Sequence, residues 1–135
     1  MNRRTAWKKL QQLIEKFRVH CKCIDDIVEL IDSTGSDERF LNELSKNLKI
    51  LDMLGKRAVQ SKNFEILKAT SGIYSMKCRG KNINIRILYT FDSGERPVML
   101  LAFYERDDSG KNTYRTHIPV AIERMREMEG IDYEE

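Results

Sequence analysis

The chain has 135 residues, of which 24 are lysine or arginine and 21 are aspartate or glutamate, giving a formal net charge of +3. This length suits a single domain whose core needs neither a metal ion nor disulfides for support. The near balance of charges excludes a uniformly basic surface, so binding to a polyanion would depend on where the cations lie.

Cysteine usage and the length of the apolar runs predict the compartment. Cys21, Cys23 and Cys78 are an odd set with no secretory apolar segment before them, which predicts a reducing environment. No apolar run is long enough to span a bilayer. His20 precedes Cys21, but the spacing does not supply four zinc ligands, so we expect no metal and no small-molecule cofactor. We therefore expect a soluble, cytoplasmic protein with no membrane partner.

The first quarter of the chain has the apolar periodicity of helices. An amphipathic helix is predicted over residues 6–18, and a second runs from residue 24 to a Ser-Thr-Gly break at residues 33–35. Residues 19–23 alternate imperfectly and could instead form a short strand. The two apolar stripes are Trp7, Leu10, Leu13, Ile14 and Phe17, followed by Ile24, Ile27, Val28, Leu30 and Ile31.

A third helix is predicted after Ser36, which is a good N-cap. Asp37 and Glu38 follow it, and their negative charges suit the positive end of the helix dipole. Gly55 is expected to end this helix, and residues 56–63 have the composition of a polar connection. The buried stripe is predicted to be Phe40, Leu41, Leu44, Leu48, Leu51 and Leu54.

The second half of the chain predicts a sheet and a last helix. Gly80 and an Asp-Ser-Gly turn separate the strands, which we expect to form an antiparallel meander. The final helix is expected to hold Pro119 in its first turn, where no amide hydrogen bond is lost. The predicted strands are residues 73–78, 82–91 and 97–104.

These elements predict the fold class α+β, with N-terminal helices followed by an antiparallel β-meander and a C-terminal helix. We expect residues 1–135 to form one domain, in which residues 1–35 are an N-terminal helical extension.

A run of cations coincides with the predicted strands. No carboxylate lies between Glu65 and Asp92, and Tyr74 and Tyr89 fall within this stretch. Positive charge combined with aromatic stacking surface is typical of a site that binds a polyanion, so the pattern predicts a nucleic acid, and specifically RNA, as the partner. The cations are Lys68, Lys77, Arg79, Lys81 and Arg86.

Side-chain alternation assigns these cations to one face of the sheet. Asn82, Asn84 and Arg86 should share a face, because three isoleucines occupy the intervening positions. If the preceding strand pairs antiparallel with this one, Lys77 and Arg79 join Arg86 on the same open face. The alternative is an ordinary solvated sheet face whose cations only aid solubility.

The order of elements and four short motifs resemble the RelE/HigB/ParE toxin superfamily over residues 40–128. The motifs are LKxxxGIYxMKxR, IRILYTFD, FYER and AIERM. The resemblance implies a RelE-like fold and a bacterial type II toxin that cuts messenger RNA on the ribosome. It further implies that no metal is needed and that a cognate antitoxin neutralises the protein, burying the basic face or displacing the C-terminal helix.

The resemblance also implies the site residues. Lys77 and Arg79 match the basic strand of the first hairpin, Arg86 matches the strand arginine, and Arg106 matches the end of the next strand. Tyr114 or His117 approximates the C-terminal aromatic or imidazole position. The sequence departs from the pattern at Ser75, where RelE-like members have lysine, and at Asp107-Asp108, where negative charge beside Arg106 would weaken phosphate binding.

Such a site must deprotonate a ribose 2′-hydroxyl, stabilise charge on the attacked phosphate and protonate the leaving oxygen. We expect Arg86 and Arg106 to hold the phosphate, and Lys77 to hold it or act as an acid. His117 is the best candidate for proton transfer, whereas Tyr114 would orient or stack a base. The expected RNA contacts are Lys68, Tyr74, Arg79 and Lys81.

Three other functions remain open on the same fold. The protein could be a ParE-like inhibitor of DNA gyrase, a member that has lost activity, or a plain RNA-binding module. A cation cluster with a nearby histidine favours cleavage, while Ser75 and Asp107-Asp108 count against it.

Overall fold

The computed structural model describes residues 2–34, 37–68, 70, 72–106 and 111–131. The predicted N-cap Ser36 and the pair Asp107-Asp108 lie outside the described residues. In chain order the elements are α1 (Arg3–Ile14), β1 (Arg18–Val19), α2 (Cys21–Thr34), α3 (Asp37–Leu54), a 3₁₀ helix (Gly55–Gln60), β2 (Phe64–Ile66), β3 (Tyr74–Gly80), β4 (Ile83–Phe91), β5 (Pro97–Tyr104) and α4 (Lys111–Arg126).

The described strands form one mixed sheet in the order β1-β5-β4-β3-β2. The α+β class and the antiparallel β3–β4–β5 meander agree with the prediction. The predicted order was wrong in two respects. A strand, β1, lies between the first two helices and pairs parallel with β5. The alternative of a short strand over residues 19–23 agrees with it only at Val19, because Cys21 already begins α2. Strand β2 adds an antiparallel strand before the meander. Strands of two and three residues are too short to leave an alternation pattern in the sequence.

The sheet separates two apolar layers. Helices α1, α2 and α3 pack on one face, where Leu10, Ile27 and Phe40 meet Ile85 and Ile87 of β4. Helix α4 packs on the other face against Leu88, Leu101 and Phe103. The predicted N-terminal extension therefore shares its core with the sheet, and α4 covers part of the face that we expected to be open. No helix among the described residues is long and apolar enough to cross a bilayer.

Helix α4 begins earlier than predicted. It starts at Lys111, so Pro119 lies in the helix interior and not in the first turn. Proline has no N–H to donate to the carbonyl group four residues earlier, which belongs to Arg115. Both residues are exposed, so water can satisfy that carbonyl group. The early start places Tyr114 and His117 within the helix, one turn apart and directed toward Phe103.

The β4–β5 hairpin is organised by a buried carboxylate. Asp92 Oδ1 accepts hydrogen bonds of 2.9 Å from the backbone N–H groups of Gly94 and Arg96. Its Oδ2 lies 3.1 Å from Arg18 Nη1 and 3.0 Å from Arg96 Nε. The residue of the turn with positive φ is Glu95, at 60°. The Arg96 N–H, together with the Arg18 guanidinium, holds the pKa of Asp92 below its ordinary value, although burial acts in the opposite direction.

Replacing Asp92 with asparagine should destabilise the fold. The charge-assisted hydrogen bonds would be lost, and we expect the free energy of unfolding at neutral pH to fall by about 2–3 kcal/mol. A lowered carboxyl pKa contributes stability that is present above the ordinary value near pH 4 and is lost as the pH falls further. Urea unfolding at several pH values should therefore show a flatter acid limb in Asp92→Asn than in the wild type.

Asp52→Asn is the matched control, since Asp52 forms an exposed ion pair with Lys16. Its loss should change stability by less than about 1 kcal/mol. Equal effects of the two substitutions would contradict the role assigned to Asp92.

Candidate nucleic-acid interface

The strand register brings the predicted cations together. Lys77 pairs directly with Arg86, and Arg79 pairs with Asn84, so all four side chains share the α4 face of the sheet. The face is not open as expected, because Arg86 is only 8% exposed. Lys77 is also largely covered, whereas Arg79 is exposed. Of the three cations predicted to share this face, Lys77 and Arg86 thus lie in a partly enclosed site and Arg79 does not.

Arg86 is held by a neighbouring amide. Its Nη1 donates a 2.7 Å hydrogen bond to Asn84 Oδ1, and Asn84 Nδ2 donates to the Glu105 carbonyl oxygen at 2.9 Å. The backbone N–H of Glu105 donates in turn to the Asn84 carbonyl oxygen at 2.7 Å. Within the described ranges, Arg86 Nε is buried and has no hydrogen-bond acceptor. The guanidinium is therefore fixed through Nη1, while its Nε–H remains an unsatisfied donor.

Tyr114 of α4 lies above the sheet, beside Ser75 and Glu65. Its hydroxyl forms a 2.8 Å hydrogen bond with Ser75 Oγ and donates to Glu65 Oε1 at 3.3 Å. Glu65 Oε1 also lies 3.6 Å from Lys77 Nζ. Burial raises the pKa of Tyr114, while its hydrogen bond with Ser75 and the charge of Arg86 act in the opposite direction. Tyr114 therefore keeps its proton at neutral pH and can serve as a donor.

A polar cleft gives access to this arginine from the end of the sheet. It has a volume of about 390 Å³ and lies where β3 turns into β4 and β5 ends. Arg79 and Arg86 line it together with Asn82, Asn84 and Glu105. Asn82 occupies the turn with φ of 63°, so it lies outside β4 and does not continue the strand alternation that we predicted. The cleft combines two guanidinium groups with amide donors, as a phosphate site requires.

Arg106 and His117 lie together in a second cleft, between α2 and α4. Its volume is about 570 Å³, and Asp26 and Arg124 also line it. The His117 ring stacks on Phe103 at 4.2 Å, and Tyr114 meets the same Phe103 ring edge-on at 5.7 Å. The five residues predicted as catalytic are thus divided: Lys77, Arg86 and Tyr114 form one group, and Arg106 and His117 form another.

The titration of His117 can be predicted from its surroundings. Burial lowers its pKa, and the Arg124 charge acts in the same direction, while the carboxylates of Asp26 and Glu105 partly oppose both. Folding therefore disfavours the protonated imidazole. Stability should be retained above the ordinary pKa near 6.5 and lost as the pH falls toward the lower folded-state value. His117→Gln should lack this pH-dependent loss of stability. In the wild type, NMR titration of the His117 ring should give a pKa below about 6.5.

The predicted RNA contacts do not form one surface. Tyr74 points into the opposite layer, where its ring stacks on buried Tyr89 at 5.3 Å, so it does not accompany the cations. Lys68 is exposed beyond β2. Lys81 is exposed in the β3–β4 turn, and its carbonyl oxygen accepts a hydrogen bond from Arg39.

Four residues of the site escaped assignment from sequence. Glu65 lies on β2, a strand too short to predict, and Ser75 was noted only as a departure from the RelE pattern. Asn84 was placed on the correct face without a role. Glu105 could have been assigned to the Arg86 face from the alternation Leu101, Phe103, Glu105, which continues past the end of β5.

The cysteine-containing segment has ordinary contacts. His20 Nδ1 accepts a 3.1 Å hydrogen bond from the Lys22 N–H, and Nε2 lies 3.4 Å from Glu127 Oε1. Cys21, Cys23 and Cys78 are free thiols, and burial raises the pKa of Cys78 to about 12. Among the residues that the structure describes, no group of three or more His, Cys, Asp or Glu side chains could hold a metal ion.

Comparison with known proteins gives a single finding. Residues 37–126 match the family of phage-derived Gp49-like proteins (DUF891). The matched region runs from the start of α3 to the end of α4 and contains the Arg86 cleft. The second cleft is only partly within it, because α2 forms one of its walls and precedes the match. No curated protein and no solved structure matches the chain.

Proposed function

Because the chain belongs to the phage-derived Gp49-like family, we propose that it is the toxin of a type II toxin–antitoxin system that cuts messenger RNA without a metal ion. The family is of the toxin type, which supports the first half of this proposal. The reaction itself rests on the site. We further propose that the chain is a single domain in the cytoplasm, acts on ribosome-bound message and is neutralised by a cognate antitoxin.

The observation that carries the reaction is the environment of Arg86. It is an almost fully buried guanidinium, fixed by Asn84, that lines an open polar cleft beside exposed Arg79. A phosphate entering this cleft would meet donors that are already oriented, so little reorganisation is needed as negative charge develops. Arginine suits this role, because its charge is permanent and its fork matches two phosphate oxygens.

The proposed step is an internal transesterification. A ribose 2′-hydroxyl loses its proton, its oxygen bonds to the adjacent phosphorus, and the bond from phosphorus to the 5′-oxygen breaks. The products are a cyclic 2′,3′-phosphate and a 5′-hydroxyl, which takes up the proton that balances the reaction. Arg86 and Arg79 would stabilise the extra charge on the phosphoryl oxygens.

We assign the proton donated to the leaving oxygen to Tyr114. It lies beside Arg86, is protonated at neutral pH, and is held by hydrogen bonds with Ser75 and Glu65. The proton released by the 2′-hydroxyl passes to solvent, and solvent returns one proton to Tyr114. His117 lies with Arg106 in the cleft between α2 and α4, away from Arg86, so we assign it no proton in this step. Lys77, beside Glu65, would add positive charge near the same phosphate.

Induced expression in a bacterial host tests this function. Growth arrest accompanied by new 5′ ends on abundant messages, mapped by primer extension, is expected for the wild type. Arrest with intact messages and trapped or inhibited gyrase would replace the proposal with a gyrase inhibitor. If folded protein is fully expressed and growth does not stop, the protein is an inactive member of the fold or a plain RNA-binding module.

A further inference from the structure

The two clefts are joined by a third one, and the junction is Tyr104. The joining cleft has a volume of about 460 Å³ and is lined by Asn82 and Arg106. Asn82 also lines the Arg86 cleft, and Arg106 also lines the cleft of His117. Tyr104 lines all three. The three clefts therefore adjoin one another around the end of the sheet, with Tyr104 common to all of them, and we refer to them together as the groove.

Charge is distributed unevenly along this groove. Arg79 and Arg86 lie at one end, and Arg106 lies beyond Tyr104 at the other. The carboxylates of Glu105, Asp26 and Glu29 also line it, but Asp26 is neutralised by Arg124 at 2.7 Å. The guanidinium carbon of Arg106 lies 6.0 Å from the centre of the Tyr104 ring. The guanidinium lies over the face of this partly exposed ring, so a base that stacks there must enter between the two groups or displace Arg106.

We propose that Tyr104 is a stacking platform for one base of single-stranded RNA, whose flanking phosphates contact Arg86 on one side and Arg106 on the other. This inference rests on the proposed function and names the path of its substrate. Alternation of backbone cations with an aromatic ring is how single strands are held without sequence readout, because every base offers a flat face. A duplex would not fit, since its bases are stacked on each other and unavailable to the ring.

The path also explains why Arg106 lies apart from Arg86. In a one-site arrangement all five predicted catalytic residues would surround the same phosphate. Along the groove, Arg106 instead holds the neighbouring phosphate, so it contributes to binding of the strand and not to the reacting bond. Tyr104 and Arg106 are therefore positioning residues.

Binding of an oligonucleotide that cannot be cut tests the platform. The probe is a short 2′-O-methyl single strand, which lacks the attacking hydroxyl, carrying one 2-aminopurine whose fluorescence is quenched on stacking. Wild type should bind it at low salt with quenching. Tyr104→Phe should bind within about twofold of wild type, while Tyr104→Leu should bind about tenfold more weakly, as expected for loss of one stacked base, and lose the quenching.

Salt dependence separates stacking from charge. Tyr104→Leu should leave the slope of log affinity against log salt unchanged, because no phosphate contact is lost. Arg106→Gln should reduce that slope by about 0.7, the value for one phosphate contact to a single strand. A reduced slope in Tyr104→Leu, or unchanged affinity and quenching, would overturn the platform.

Because Tyr104 also packs on the core, thermal unfolding must accompany the leucine variant, and cross-linking of the wild type gives an independent measurement. A strand carrying 5-iodouridine should cross-link to the peptide that contains Tyr104. Cross-links only elsewhere, or no binding by the wild type, would refute the inference. If message cleavage in cells does not change on substitution of Tyr104, the stacking platform is refuted and the proposed reaction stands. If the probe stacks on Tyr104 but no message is cut, the proposed reaction is refuted and the platform stands.

Discussion

Arg86→Gln is expected to reduce the rate of message cleavage by about 10²–10³-fold, the usual cost of removing one oriented donor from developing negative charge. Glutamine retains a hydrogen-bond donor but loses the positive charge and the fork that would hold two phosphoryl oxygens. The measurement is single-turnover cleavage of ribosome-bound message by purified protein, with growth arrest as the cellular counterpart. A cleavage rate within tenfold of wild type would remove Arg86 from the mechanism.

The same substitution should also cost stability, contrary to what an outward-facing arginine would predict. Arg86 is largely buried, and its loss leaves Asn84 Oδ1 without its donor. We expect the free energy of unfolding to fall by about 1–3 kcal/mol, measured by urea denaturation. Arg57→Gln is the matched control, because Arg57 is exposed on the 3₁₀ helix, away from both clefts. It should alter neither cleavage nor stability.

Tyr114→Phe is expected to lower cleavage by about 10²-fold or more, the contribution typical of a positioned proton donor. The phenyl ring preserves the packing against Phe103, but buried Ser75 loses its hydrogen-bond partner, so the free energy of unfolding should fall by about 1–3 kcal/mol while the protein still folds. His117→Gln should lower cleavage by less than about tenfold, because His117 lies in the other cleft. The comparison uses the same single-turnover assay. A larger effect at His117 than at Tyr114 would reverse the assignment of the donor.

The pH profile provides an independent check on Tyr114. Burial raises its pKa above the ordinary value near 10, so the donor form persists through neutral and mildly alkaline pH. The wild-type rate should therefore show no alkaline decline below about pH 9. An alkaline decline centred near neutrality would identify a different proton donor.

The middle of the chain was predictable because its patterns are local. Strand β5 was predicted with its observed bounds, and α3 ends where Gly55 takes a positive φ of 56°. Alternation of isoleucines in β4 also gave the correct face for Arg86. These features depend only on residues that are close in sequence, so they can be predicted without knowledge of tertiary packing.

The sequence did not predict which element packs over the Arg86 face of the sheet. Alternation indicates that Arg86 points away from Ile85 and Ile87, but not that α4 lies over it. The preference of proline for a first turn places Pro119 at the start of that helix, and Tyr114 would then lie outside the helix. The interior proline is tolerated because its surroundings are exposed, a tertiary property. The grouping of Tyr114 with Ser75 and Glu65 follows only once the helix is extended to Lys111.

Strand β1 has a consequence for how the protein is made. Arg18 pairs with Val98 and Val19 with Met99, so the sheet cannot be completed until β5 has left the ribosome. Contacts of such long sequence separation slow folding, because the entropy of closing the long loop is lost before the strand pairing contributes favourable free energy. The residues that line the Arg86 cleft lie between Arg79 and Glu105, on β3, β4 and β5 and just beyond them. A nascent chain that lacks β5 would therefore have no assembled cleft.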